Sequence, residues 1–317
     1  MRCLCNISAL ELIRASGRLL PSIMDKPRSS DLRRCRVDAL ASIEDDLTRF
    51  GVHGRPVHLL VGRQRARHRS AGIACHTMLR PPPARSIIHL DGTWAVTSPE
   101  LTFISLAASP DCNLIELALI GYELCGTYVL DTSWDGLVNT DTPCTSVQNI
   151  RHAFDALPAR GKPQQACQAL NLVLDRSNSP METIVALLLC APRRLGGLGL
   201  TGAQMNYRIV TPVGPRYVDI AFPELNVGLE YKGRHSHSIE RTARDDRRQN
   251  KLVGSGMPIL NIWYEDLVEQ HLFRQLVADL YRAANLRYRN RTNGFETKQA
   301  LLRHQLLPMV ERYGDLG

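Results

Sequence analysis

Apolar and polar positions alternate from Leu225 to Glu230, in the C-terminal half of the chain. Such alternation is typical of a strand with one buried face. The segment before it, from Tyr217 to Phe222, has a strand-like composition, and Pro223-Glu224 provides a turn between the two. The pattern therefore predicts two short strands joined at Pro223.

The flanking segments predict further elements. Upstream, the apolar run after Ser179-Pro180 predicts a buried helix with Ser179 as its N-cap. Downstream, the spacing from Asp245 to Leu252 predicts a basic helix, Gly256 a stop, and the apolar run Ile259–Trp263 a third strand. Together these elements predict an α/β arrangement.

The N-terminal half predicts a mixture of strands and helices with a weaker signal. The predicted elements are strands at Val57–Val61 and at 87–90, a turn at Asp91-Gly92, a strand end at Val96 that enters a capped helix reaching Ala107, and a helix at 113–124. Breakers at 157–163 and 175–180 bracket a helix-like stretch at 164–174. We expect two domains, residues 1–160 and 176–317.

Three side chains of the predicted hairpin point to chemistry. Asp219 lies on the first strand, and Glu230 and Lys232, two positions apart on the second strand, project from the same face. Two carboxylates and an amine brought together can hold a divalent metal and a water beside a phosphodiester. Magnesium favours one or two protein carboxylates with waters and phosphate oxygens.

The pattern of Asp219 followed by Glu230-x-Lys232 resembles the signature of the PD-(D/E)xK nuclease superfamily. The resemblance implies a restriction-endonuclease-like C-terminal domain, a central mixed sheet flanked by helices, beside a smaller α+β N-terminal domain. It implies that Asp219 and Glu230 bind Mg²⁺, with Mn²⁺ as the alternative, and that Lys232 assists the attacking water. Residues 229–263 also resemble the very-short-patch-repair-like domain found at the C-terminus of many bacterial proteins.

Glu182 matches a further acid that this superfamily often contributes from a helix before the first strand. An alternative reading is structural: Ser179 is a good N-cap, and Glu182, three residues later, completes a capping box. The two readings are compatible. For Asp219, Glu230 and Lys232, the alternative is a hairpin with solvated charges. We favour a functional face because Gly228 is expected to leave open space beside Glu230.

Residues after the hairpin are additional candidates. His235 and His237 lie in a polar loop and could act as a general base or contact phosphate, although loop histidines without a role are more frequent. Arg244, Arg247, Arg248 and Lys251 lie on the predicted basic helix and suit phosphate oxygens, although a solvated helix face would have the same composition.

Composition agrees with a polyanionic partner. The chain has 39 Lys+Arg against 31 Asp+Glu, a net charge of +8. The longest apolar run, 184–191, is too short to span a bilayer, so we expect a cytoplasmic protein with no membrane partner. Nine scattered cysteines without a CxxC pair argue against a zinc site and a disulfide framework.

The N-terminal half resembles the antitoxin family of abortive-infection (type IV) toxin-antitoxin systems, on the stretch from Val96 to Thr102 and the helix that follows. The resemblance implies a regulatory or substrate-positioning role, with a second copy of the chain or another protein as candidate partners. The whole sequence predicts a magnesium-dependent DNA endonuclease acting in defence or repair. The alternative is a non-catalytic DNA-binding regulator, antitoxin-like, with a vestigial nuclease fold.

Overall fold

The structure, a computed structural model, describes residues 1–68, 70–131, 136–159, 162–211, 214–233, 256–289 and 293–314. The chain divides into two compact units, Met1–Val173 and Leu174–Gly317. Within the described ranges no helix is long and apolar enough to cross a membrane.

A mixed six-stranded sheet forms the centre of the first unit. Its strands are β1 (Arg2–Leu4), β2 (Arg28–Ser29), β3 (Val57–Val61), β4 (Ile73–Thr77), β5 (Ile87–His89) and β6 (Trp94–Thr97). The strand order is β2-β5-β6-β1-β3-β4, and the pairs β1/β6 and β3/β4 are parallel. The three-residue strand β1 therefore occupies the middle of the sheet.

Both faces of this sheet are buried. Leu4, Leu59 and Trp94 belong to one apolar cluster, whereas their neighbours along the strands, including Cys3 and Leu60, belong to another. Successive residues of a strand face opposite sides. A strand buried on both sides needs a nearly continuous apolar run, which explains why four of the five residues of Val57–Val61 are apolar.

Helices and a small hairpin complete the first unit. The helices are α1 (Asn6–Ser16), α2 (Leu20–Met24), α3 (Glu44–Arg49), α4 (Pro99–Ala107), α5 (Leu114–Cys125), α6 (Val147–Asp155) and α7 (Gln164–Leu170). Strands β7 (Tyr128–Asp131) and β8 (Gly136–Asn139) form a two-stranded antiparallel sheet. The predicted capped helix is confirmed, because the Ser98 side chain caps α4. Asn113 forms a capping box with Glu116 at the start of α5, a cap that was not predicted.

Two expectations for this unit need correction. The helix predicted at 164–174 ends at Leu170. Helix α7 packs on α4 and α5, so the first unit extends to Val173 and is the longer of the two, not the smaller. All nine cysteines lie in described parts of the chain and are free thiols.

The second unit contains a mixed four-stranded sheet with helices. Its elements are α8 (Pro180–Cys190), β9 (Gln204–Thr211), β10 (Gly214–Phe222), β11 (Val227–Lys232), β12 (Ile259–Trp263), α9 (Tyr264–Val268), α10 (Gln270–Ala283) and α11 (Phe295–Tyr313). The strand order is β12-β11-β10-β9, antiparallel except for the parallel pair β11/β12. The predicted hairpin and third strand are confirmed, and β10 and β11 are the two inner strands.

Candidate functional site

Glu230 and Lys232 form a buried ion pair on β11. The ammonium of Lys232 donates a hydrogen bond of 2.8 Å to Oε2 of Glu230, and only 13% and 4% of the lysine and glutamate side chains are exposed. Residues two positions apart on a strand project from the same face, so their proximity follows from the strand itself. The predicted proximity of these two residues is confirmed.

Asp219 joins this pair through the backbone of β11. The last antiparallel pairing of β10 with β11 is Ile220 with Leu229. One residue further, Oδ2 of Asp219 accepts a hydrogen bond of 2.8 Å from the backbone N–H of Tyr231, the residue between Glu230 and Lys232. A carboxylate thus takes the place of a backbone acceptor and ties Asp219 to the strand that carries the other two residues.

Glu182 lies in the first turn of α8, where its carboxylate is buried. The side-chain hydroxyl of Ser179 accepts a hydrogen bond from the backbone N–H of Glu182 (3.1 Å), which confirms the predicted cap. The reciprocal bond differs from a standard capping box, because Oε2 of Glu182 accepts from the backbone N–H of Asn178 at 2.9 Å, one residue before the cap.

The electrostatics of Glu182 connect it to Asp219. Burial raises the pKa of Glu182 to about 8, and the negative charge of Asp219 adds to that shift. Hydrogen bonds from Asn178, Asn206 and Ser179 oppose the shift because they favour the charged carboxylate. The two acids are therefore close enough to repel each other, and a divalent cation bound between them would relieve that repulsion.

Asn206 is a residue of this site that the sequence analysis did not identify. It lies on β9 between residues paired with Val218 and Ile220, opposite Asp219, and its φ of 48° is left-handed. Its side-chain nitrogen donates to Oε2 of Glu182 (3.1 Å) and to the carbonyl of Arg176 (2.7 Å), and its side-chain oxygen accepts from the amide of Asn178. The available signal was weak: asparagine tolerates left-handed φ, but in a strand pattern it reads as a solvated residue.

Asn261 is a second residue not identified from the sequence. It pairs with Glu230 in the parallel register of β11 and β12. Its side-chain oxygen is buried and has no hydrogen-bond partner among the residues that the structure describes. A buried acceptor of this kind costs free energy unless it is paired. Strand β12 was predicted from the apolar residues around Asn261. That pattern indicates a strand but does not indicate what its one amide side chain does.

The donor set fits a hard cation such as Mg²⁺ or Mn²⁺, because carboxylate and amide oxygens dominate it. In the described part of the chain, no group of three or more His, Cys, Asp or Glu side chains could hold a metal ion. Asp219, Glu230 and Glu182 are thus not arranged as a three-carboxylate cage. A magnesium ion here would use one or two carboxylates and complete its shell with water and phosphate oxygens.

The expectation for Gly228 is wrong. A Cβ at this position would lie 2.6 Å from Cδ1 of Ile259 and 2.8 Å from Cγ1 of Val218. Gly228 therefore allows close packing of the strand against these side chains and does not provide space for a ligand. Periodicity identifies a small residue on a strand but not what lies above it.

The remaining candidates lie outside the described residues. These are His235, His237, Arg244, Arg247, Arg248 and Lys251. The structure thus contributes geometry for Glu182, Asp219, Glu230 and Lys232, and it adds Asn206 and Asn261.

Comparison of the chain with protein-family models, with curated proteins and with solved structures finds no match. Any functional assignment therefore depends on the side chains and distances described above.

Proposed function

We propose that the chain is a metal-dependent endonuclease that hydrolyses DNA phosphodiester bonds, and that Leu174–Gly317 is a restriction-endonuclease-like domain of the PD-(D/E)xK type. The observation that carries the proposal is the buried Lys232–Glu230 pair on a strand whose backbone is bonded to Asp219. A desolvated ammonium beside a carboxylate is costly as a structural device alone. The presence of such a pair beside Asp219 favours a chemical role.

The place of the site in the sheet supports the proposal. Asp219 and Glu230 lie on the inner strands β10 and β11, each hydrogen-bonded on both sides. Reactive groups must be held in a fixed geometry, and inner strands are more rigid than loops. Helix α8 adds Glu182 from the segment before β9, the chain order expected for this superfamily.

Each residue has a role in the proposed reaction. Asp219 and Glu230 would hold Mg²⁺, with Glu182 as a further carboxylate beside Asp219. When bound, Mg²⁺ would lower the pKa of a coordinated water and offset charge on the phosphate. The ammonium of Lys232 donates a hydrogen bond to Glu230, and from that position it can orient the attacking water or donate to a phosphate oxygen. Asn206 holds the Glu182 carboxylate.

DNA is the proposed substrate, in defence against foreign DNA or in repair. The net charge of +8 favours a polyanion. Arg244, Arg247, Arg248 and Lys251 are the proposed phosphate contacts, and His235 or His237 is the proposed general base or a further phosphate contact. The first unit would position the substrate or a protein partner.

Cleavage of supercoiled plasmid tests the proposal. The purified protein is incubated with Mg²⁺, Mn²⁺ or EDTA, beside the double variant Glu230→Ala/Lys232→Ala. Glu296 and Lys298 provide a matched control, because they have the same Glu-x-Lys spacing but lie on helix α11. The double variant Glu296→Ala/Lys298→Ala removes the same two charges elsewhere in the same unit.

We expect metal-dependent cutting by the native protein and by the α11 control, and none by the β11 variant. Loss of cutting in both variants would indicate a general effect of charge or folding. DNA binding without cutting under any metal, on plain and on mismatched DNA, would overturn the nuclease and favour a DNA-binding regulator.

A further inference from the structure

The first unit contains a cavity of about 500 Å³ that is separate from the proposed nuclease site. Strands β3 and β4 form one side of it with Leu60, His76 and Thr77, and helix α4 forms another. Volumes of 300 to about 1,000 Å³ are usual for sites that bind small molecules. All of its lining residues belong to the unit Met1–Val173. We name this space the α4 cavity.

One face of α4 is directed at the cavity. Leu101, Ile104, Ser105 and Ala108, which immediately follows the helix, are spaced at i, i+3, i+4 and i+7 and all line the cavity. This spacing places side chains along a single stripe of a helix. Most of the other lining side chains are also apolar, including Leu157 and three prolines. The wall therefore suits an apolar body.

Thr77 supplies a polar group that the fold does not use. Its hydroxyl oxygen is buried and has no hydrogen-bond partner in the described part of the chain. Burial of an unpaired hydroxyl costs free energy. Thr77 lines the cavity at the end of the edge strand β4. A ligand that bonds to this hydroxyl would recover part of that cost.

A pair of histidines adds a second polar feature. Nε2 of His76, which lines the cavity, lies 2.9 Å from Nδ1 of His58, and the two rings stack with their centroids 5.0 Å apart. Burial lowers the pKa of both imidazoles, and their mutual repulsion lowers that of His58 further. Both rings are therefore neutral near pH 7. The pair fixes the orientation of His76 without adding charge to the wall.

The rim carries the charge. Arg80 is the one charged side chain among the described residues that line the cavity, and it forms no ion pair with a described residue. No carboxylate lines the space. The neighbouring Leu79 is 66% exposed, a large apolar side chain at the rim beside this cation. The apolar interior and the positive rim together select a ligand with two different ends.

We propose that the α4 cavity binds a small amphipathic organic anion, whose apolar body lies against α4 and whose acidic group lies at Arg80, with a hydrogen bond to the hydroxyl of Thr77. The cavity volume, the unused hydroxyl and the unpaired rim cation each contribute one element of this recognition.

A pair of probes with one skeleton tests the proposal. The full chain is titrated with 1-anilinonaphthalene-8-sulfonate, an aromatic body with one sulfonate, and with N-phenyl-1-naphthylamine, which lacks the sulfonate. Fluorescence gives the affinity and calorimetry the stoichiometry. Three variants test the cavity: Ala108→Trp places a large ring at an exposed position on the rim, Arg80→Ala removes the cation, and Thr77→Val removes the hydroxyl. Arg65→Ala is the control, an exposed arginine that does not line the cavity.

We expect one equivalent of the sulfonate to bind and Ala108→Trp to abolish binding. Arg80→Ala should weaken binding by about fivefold, the upper range for an exposed ion pair. Thr77→Val should weaken it by a similar factor, about that of one hydrogen bond. Arg65→Ala should leave it unchanged, and the uncharged probe should bind more weakly.

Binding of the sulfonate that Ala108→Trp does not affect, or the absence of saturable binding, would overturn the site. Equal binding of the two probes, together with no effect of Arg80→Ala, would overturn the anionic ligand. If Ala108→Trp fails to melt cooperatively, the Arg80→Ala variant and the probe pair decide the question, because Arg80 is an exposed side chain.

Discussion

Asn206 donates a hydrogen bond of 3.1 Å from its side chain to Glu182, while its own backbone holds a φ of 48° within a strand. The same nitrogen donates to the carbonyl of Arg176, so one amide connects β9, the segment before α8 and the buried acid. Left-handed φ in a strand costs about 1–2 kcal/mol for most residues. The unusual backbone places the amide where Glu182 requires it.

Two substitutions at Asn206 should separate the free-energy contribution of its left-handed backbone from that of its side-chain hydrogen bonds. Asn206→Gly keeps access to left-handed φ and loses the hydrogen bonds, so it should lower the free energy of unfolding by about 1–2 kcal/mol. Asn206→Ala loses the bonds and also adds strain, so it should cost about 1 kcal/mol more. Urea denaturation measures both values. Equal losses for the two variants would mean that the left-handed φ contributes no strain.

The raised pKa of Glu182 predicts a pH-dependent stability. The carboxyl has an ordinary pKa of 4.5 and a folded pKa of about 8. Between these pH values the folded protein keeps a proton that the unfolded chain has released, so stability falls as the pH rises and levels off above the folded pKa. Glu182→Gln cannot ionise and should lack this decline. Calorimetric melting temperatures across the range should diverge in favour of the glutamine variant, whereas parallel curves would contradict the raised pKa.

For the buried Lys232–Glu230 pair, removal of one partner should destabilise the fold more than removal of both. Lys232→Met removes the ammonium bonded to Glu230 and should lower the free energy of unfolding by about 3–5 kcal/mol. The double variant Glu230→Gln/Lys232→Met removes both charges and should be more stable than the single variant. Urea denaturation of the native chain and these variants gives the comparison. A single variant as stable as the native chain would indicate that the pair contributes little to folding.

Gly228→Ala should destabilise the second unit through overpacking. The added methyl would lie within 3 Å of side-chain atoms of Ile259 and Val218, and overpacking of this kind costs about 1–3 kcal/mol. Gly92→Ala is the control, because nothing lies within 4 Å of a Cβ at that turn position. Calorimetry should show a lower melting temperature for the first variant and little change for the second. Equal behaviour would mean that β11 and β12 can separate slightly without cost.

The hairpin β10–β11 and the neighbouring strand β12 could be predicted because each depends on a pattern of consecutive residues. Alternation sets which residues share a face, and a Glu-x-Lys on a strand brings its two side chains together without help from the rest of the fold. Helix starts at Ser98, Asn113 and Ser179 could be predicted for the same reason, since a cap depends on a few consecutive residues.

Other parts of the structure depend on contacts between distant segments. Strand β1 has three residues, too few to show a period, and it is a strand because it pairs with β3 and β6. Asn206 acquires its role where β9, α8 and the Arg176 segment meet. Gly228 was misread because the side chains above it come from β10 and β12. In each case the deciding neighbour is remote in sequence.

The central place of β1 has a consequence for the order of assembly. Its parallel partner, β6, ends at Thr97, more than ninety residues later in the chain. During synthesis β1 can pair with β3 first, but its other edge stays open until that later strand has left the ribosome. Long waits of this kind favour association with other chains, and the nascent first unit is the part of this protein for which protection by a chaperone would matter most.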